Sequence, residues 1–279
     1  MPRDGFDPLT LDELDKLTDG PVGALFSHGY LWFRDAFLPA VSTLEAESTP
    51  DIGLLICCYF CIGDIHSINN APKAALHSYQ KALKLDPDNE DAHREIAECA
   101  FDLGNEPMPR HHVKQAIRLA PHDSSLHEAS ELYKDTEYYA PDARFFQEGD
   151  PVWAAHEHLA NLSPERGLSV LESFTSDQAD RARLRCLGAL QDTDGYIKVL
   201  SAALAGTRKW EFEQADWFYL PHGLIDEAVL WETFLSSDRD FSGIFFFPDE
   251  HDPSDTRSVS EQIREIMRVF QSKAQNSPN

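Results

Sequence analysis

Apolar and polar positions recur with a helical period along most of the chain. Thr10-Leu11-Asp12-Glu13 has the form of a capping box, and Leu11, Leu14 and Leu17 follow it at helical spacing. Residues 24–44 carry Leu25, Phe26, Leu31, Trp32, Phe37 and Leu38, which predicts one or two helices. A nearly unbroken apolar run, 53–63, comes next and then two amphipathic segments that resemble each other. In these, Ala82 and Ala116, Leu83 and Ile117, Leu85 and Leu119, and Pro87 and Pro121 each stand 34 positions apart. A fixed period of this length marks a stack of similar helical units.

The second copy departs from the first. Pro107 and Pro109 bracket Met108 where its second helix should begin, which predicts a delayed and shortened helix over 109–119. A further helix is predicted over 124–138, with Leu132 on its apolar stripe. Beyond Gly149-Asp150-Pro151 the helical period resumes over 152–161. Ser163-Pro164-Glu165 opens another helix with Ser163 as its N-cap. Segments 177–190 and 195–204 form a further pair.

The aromatic-rich stretch 210–234 is divided by Pro221 into two helical segments. The β-prone run 241–248 reads as a single strand or a buried loop plug. An acidic linker, 249–256, precedes an amphipathic helix carrying Val259, Ile263, Ile266, Met267 and Phe270, and the tail from Gln271 frays.

The repeat resembles the tetratricopeptide (TPR) family. Tyr59, Ile62 and Gly63 stand at the aromatic, aliphatic and glycine positions of its first helix. Ala75, Tyr79, Ala82 and Pro87 match the second. In the next copy Ile96, Ala97 and Gly104 fit, while Pro109 takes a small-residue position. Leu184, Leu187, Gly188 and Gly195 echo the pattern later, with Leu200 and Thr207 in place of small residues. The expected fold is a mostly all-α, TPR-like helical-hairpin solenoid. Capping helices fill 1–50, the repeats 51–140, and a degenerate helical, aromatic-rich region 151–248. A linker and C-terminal helix complete the chain over 249–279. Gly63 and Ala75 let the paired helices approach closely, and Tyr79 fills the gap between hairpins.

Composition narrows the function. The net charge is −24, with 24 Lys and Arg against 48 Asp and Glu. Nucleic acid and anionic membrane surfaces are thereby disfavoured as partners. The acidity suits a basic partner, or else plain solubility or life at high salt. A membrane helix needs about 20 apolar residues, and no run here is that long. Met1-Pro2-Arg3-Asp4 lacks the basic and apolar regions of a secretory signal. Together with an odd count of five cysteines this gives a cytoplasmic expectation.

Chemistry-bearing motifs are sparse. Cys57 and Cys61 share a helix face, but no second pair at zinc-finger spacing accompanies them, so they read as small residues in a helix seam. His156-Glu157-His158 has the wrong spacing for a helical metal pair. HExxH, GxSxG, Walker and GxGxxG patterns are missing. No catalytic, cofactor or metal site is therefore expected, and the balance leans away from an enzyme.

The TPR resemblance implies that first-helix residues line a concave face. By register these are Asp64, Ser67, Ile68, Asp91, Arg94, Glu98, Phe101, Asp102, Glu128, Leu132 and Asp135. Co-chaperone members grip a peptide's terminal carboxylate with Lys, Arg and Asn. Here Arg94 occupies one such position, but Glu98 stands where Asn would be, so an acidic C-terminus is disfavoured. The expected function is a non-enzymatic interaction or scaffold module that binds a basic or amphipathic peptide or protein segment.

Two other resemblances supply alternatives. Trp217-Phe218-Tyr219-Leu220-Pro221, Asp226-Glu227, Trp231-Glu232, Asp252-Pro253 and Arg257-Ser258-Val259 resemble the C-terminal segment of small iron-dependent hydroxylase-like proteins. The HxD iron pair is missing, and this reading puts an enzymatic site in the aromatic C-terminal half. Ala97-Glu98-Cys99 and the helical cap resemble type III secretion chaperones, whose chains are much shorter. That resemblance implies an escort chaperone.

Overall fold

The computed structural model describes residues 9–18, 29–135, 137, 139, 149–205 and 219. Among these residues the regular structure is helical throughout, with no strand, and adjacent helices pack in pairs as an all-α helical-repeat fold. No helix among them is long and apolar enough to cross a membrane. The chain divides into two compact units, Met1–Phe174 and Thr175–Asn279. The segments 210–218, 220–234, 241–248 and 259–270 lie outside the described residues.

The first unit begins with α1 (Leu11–Thr18). Its capping box forms: the Thr10 N–H donates to Glu13 Oε2 at 2.9 Å, and the Glu13 N–H donates to Thr10 Oγ1 at 3.4 Å. Then α2 (Gly29–Trp32), a π-helical turn (Phe33–Phe37) and α3 (Leu38–Glu45) run on without a break. The predicted second apolar stretch is thus one continuous helix over 29–45. Its wide turn brings the Phe33 and Phe37 rings to 5.8 Å.

The repeats follow as α4 (Ile52–Ile68), α5 (Pro72–Leu85), α6 (Glu90–Asp102), α7 (Pro107–Leu119) and α8 (Ser124–Leu132). The 34-residue period of the sequence reappears in backbone detail. Asn89 and Asp123 cap α6 and α8 by accepting amide N–H groups. The Asp86 and Ala120 N–H groups close α5 and α7 on Ala82 and Ala116. His93 Nε2 meets the Pro87 carbonyl at 3.2 Å, and His127 Nε2 meets the Pro121 carbonyl at 3.1 Å. Asn70 and Gly104 both take positive φ, 58° and 66°, to turn from first helix to second.

Two predicted boundaries are corrected. Helix α7 starts at Pro107 and is not delayed. Both prolines sit in its first turn, where the amide groups have no intrahelical partner to lose. Helix α8 stops at Leu132 instead of reaching 138. The next residue, Tyr133, turns its ring into the core, 4.7 Å from the Phe101 ring.

A third hairpin, α9 (Pro151–Ala160) and α10 (Pro164–Leu171), belongs to this first unit. Asp150 caps α9 through the Val152 and Trp153 N–H groups. Ser163 stands at the start of α10 but does not cap it; its hydroxyl donates back to the Asn161 carbonyl at 3.1 Å. Leu162 adopts φ 54° at the turn. Helix α9 is tied to α5 across a long stretch of chain. Ala71 cannot cap α5, and Glu157 Oε1 accepts the exposed Lys73 N–H at 2.9 Å instead.

In the second unit α11 (Asp177–Ala189) and α12 (Thr193–Ala205) form a hairpin with the same stop, Gln191 at φ 59°. A Cβ on Gly188 would lie 1.7 Å from the carbonyl oxygen of Tyr219, so only glycine fits there.

Gly63 is fixed by the same kind of close approach. A Cβ there would fall 2.4 Å from the Tyr79 ring, which is fully buried and has nowhere to go. Gly53, near the start of the same helix, meets nothing closer than 3.4 Å. The expected outcomes have opposite signs. Gly63→Ala loses about 1–3 kcal/mol through overpacking. Gly53→Ala is neutral or gains up to about 1 kcal/mol from reduced backbone freedom. Urea unfolding of both variants checks this; equal losses would contradict the packing described.

Candidate functional site

Helices α4 and α6 bring Asp64, Asp91, Arg94, Glu98 and Asp102 of the expected face into one neighbourhood. Along α6, Asp91, Glu95, Glu98 and Asp102 follow one another at helical spacing on one stripe. Arg94 lies beside them and pairs with Asp91 at 2.8 Å and with Glu95 at 3.2 Å. From α4, Asp64 approaches this stripe closely enough to feel Arg94, and Glu95 feels both Asp64 and Glu98. Burial holds the Asp64 carboxyl above the usual carboxylate range, against the Tyr79 hydroxyl that donates to it at 2.6 Å. Burial raises Glu95 as well, and the Glu98 charge adds to it. The Tyr133 hydroxyl is pushed up by burial first, then by Glu98 and Asp102.

The sequence missed Glu95. Its position between Asp91 and Glu98 on the same stripe was the available signal, but the family register passes over it. Phe101 is corrected in the other direction. It is 6% exposed and belongs to the core with Ala97, Val113, Tyr133 and Tyr139, so it cannot line an open face. Ile68 and Leu132 are 39% and 54% exposed and supply apolar surface at the ends of α4 and α8. Glu128 and Asp135 are exposed on and just beyond α8.

The remaining chemistry is quieter. Cys57 is exposed, while Cys58 and Cys61 are buried, and burial pushes both buried thiols up to about 12. Their thiolates are therefore disfavoured at neutral pH. His93 and His112 join α6 to α7 through an Nδ1–Nδ1 contact of 2.8 Å. His93 Nε2 must donate to the Pro87 carbonyl, so His93 Nδ1 accepts and His112 Nδ1 donates. Burial holds the His112 imidazole down at about 4. Among the described residues, no group of three or more His, Cys, Asp or Glu side chains is placed to hold a metal ion.

No family model matches this chain, and no curated protein or solved structure matches it.

Asp64 gives a test with a defined sign. Its native value is raised, so the native chain binds this proton more tightly than the unfolded chain does. The stability linked to that proton is complete below the ordinary carboxylate value and lost as pH rises through the native one. At neutral pH the ionised Asp64 is thus held at a cost. Asp64→Asn keeps an acceptor for Tyr79 and removes the charge. It should match or exceed the wild type in urea at about pH 7.5, and the advantage should shrink towards about pH 4. A variant that is less stable at neutral pH would contradict the electrostatics.

Proposed function

We propose that the chain is a tetratricopeptide-type scaffold whose acidic first-helix face binds a basic, amphipathic peptide or protein segment. The observation that carries this is the approach of Asp64, from one hairpin, to the Asp91, Glu95, Glu98 and Asp102 stripe of the next, with Arg94 between Asp91 and Glu95. Burial of Asp64 and Glu95 strengthens their pull on an incoming positive charge, because less water screens them. Exposed Ile68 and Leu132 offer apolar anchorage for the other face of such a segment. The 34-residue recurrence of caps, turns and His–carbonyl contacts supports the family assignment. Free thiols at all five cysteines suit a reducing compartment, and a cytoplasmic location is part of the proposal.

A global charge of −24 attracts any basic peptide, so the test must separate the face from the field. The probe is an amphipathic Lys/Leu peptide, followed by fluorescence anisotropy. The double variant Glu98→Lys with Asp102→Lys changes the proposed face. Glu165→Lys with Glu172→Lys changes charge equally at exposed positions on α10 and just beyond it. The first should weaken binding at least about tenfold, equal to about 1.4 kcal/mol, and the second far less. Equal loss in the two variants would leave only non-specific attraction and defeat the proposal.

A further inference from the structure

Two histidines close the seam between α6 and α7. His93 is buried on α6, and the half-buried His112 meets it from α7, Nδ1 to Nδ1 at 2.8 Å. The two rings lie 5.0 Å apart. The exposed His111 joins them, its ring 5.1 Å from that of His112. Three imidazoles thus gather at one place.

The contact limits how many protons the pair can carry. A neutral imidazole has one N–H and one lone pair. His93 uses its N–H on the Pro87 carbonyl, so its Nδ1 offers the lone pair and His112 supplies the Nδ1–H. One added proton is accommodated on His112 Nε2 with the contact intact. A second falls on His93 Nδ1 and sets two N–H groups against each other at 2.8 Å. The folded pair therefore holds at most one extra proton, whereas two separate histidines in an unfolded chain take two.

Even the first proton finds poor support. Among the described residues, the titratable groups that act on His112 are His93 and His111, both of them cations when protonated. His93 faces His111 and Arg118 from α7 and Asp88 from the turn before α6. Asp88 already pairs with Arg118 at 2.9 Å. On its other side α6 meets α5 through Ala75, Tyr79 and Leu83, packed with Ile96 and Cys99. Burial holds the His93 imidazole below its ordinary range, as it does that of His112.

We propose that this histidine pair is an acid-sensitive latch on the second hairpin, holding α7 to α6 at neutral pH and releasing it in mild acid. The native pair binds protons less tightly than the open or unfolded chain does. The linked stability is complete above the ordinary histidine value of 6.5 and is lost as pH falls towards the native one, about 4 for His112. Inside that window each proton gained on opening raises the opening equilibrium by up to about tenfold per pH unit. The latch does not depend on whether the acidic face binds a partner.

Amide-exchange protection factors in α7 of the full chain, at about pH 7.5 and about pH 5, test this. Burial also holds His66 at about 4, so the wild type alone does not isolate the pair. His112→Asn does: its amide keeps a donor for His93 Nδ1, offers an oxygen once His93 is protonated, and does not titrate. His127→Gln is the control, because His127 makes the same carbonyl contact one repeat on, at an exposed position. Between the two pH values, protection of α7 should fall at least about tenfold more in the wild type than in His112→Asn. His127→Gln should follow the wild type. The urea midpoint at about pH 7.5 reports whether His112→Asn folds. Ring titration of the wild type by NMR gives a reading that needs no variant: the His112 ring should stay neutral at about pH 5.5. An equal pH response in the wild type and a folded His112→Asn, or a His112 ring that titrates at the ordinary value, would overturn the proposal.

Discussion

The first hairpin depends on the Tyr79 ring lying where Gly63 has no side chain. The two helices approach until a Cβ at position 63 would sit 2.4 Å from that ring. The buried phenol then needs a partner, because an unsatisfied hydroxyl inside a core costs about 1–3 kcal/mol. Asp64, the residue after the glycine, accepts its proton at 2.6 Å. One contact thus links backbone spacing, core packing and the acidic face. The carboxylate that begins the candidate site is held there by the residue that closes the hairpin.

The second hairpin solves the same spatial problem with other side chains. At the positions 34 residues on, Ala97 replaces Gly63 and Val113 replaces Tyr79, and the two pack in one core cluster. A larger residue on one helix meets a smaller one on the other, the kind of volume-conserving exchange that cores tolerate best. Phe101, Tyr133 and Tyr139 fill the remaining space. Turn geometry is conserved more strictly than side-chain chemistry. Asn70, Gly104, Leu162 and Gln191 all take positive φ after a first helix, although only one of them is a glycine. At the three others the packing of the paired helices holds a backbone conformation that side chains disfavour.

The legible part of the fold was the part written in local and periodic signals. The capping box at Thr10, the 34-residue register and the close approach at Gly63 all follow from residues near in sequence or at fixed offset. Two boundaries were misread for identifiable reasons. Prolines at 107 and 109 suggest a delay, though the first turn has no amide bonds for them to break. The helical reading after Ser124 runs past Tyr133, whose ring is claimed by the core instead. Long-range contacts left no such trace. Glu157 caps α5 from another hairpin, and nothing near Lys73 or near Glu157 in the sequence announces the pairing. On the acidic face, register placed Asp64, Asp91, Arg94, Glu98 and Asp102 together but put Phe101 on the outside, because a register gives a position and not its exposure.

The central claim is that the first helices of the hairpins, and not the second, form the working surface. Amide hydrogen exchange read by mass spectrometry, with and without the Lys/Leu peptide, tests it most directly. The account predicts slowed exchange in α4, α6 and α8, with α5 and α7 unchanged. Protection confined to α5 and α9, or to residues beyond 205, would contradict it.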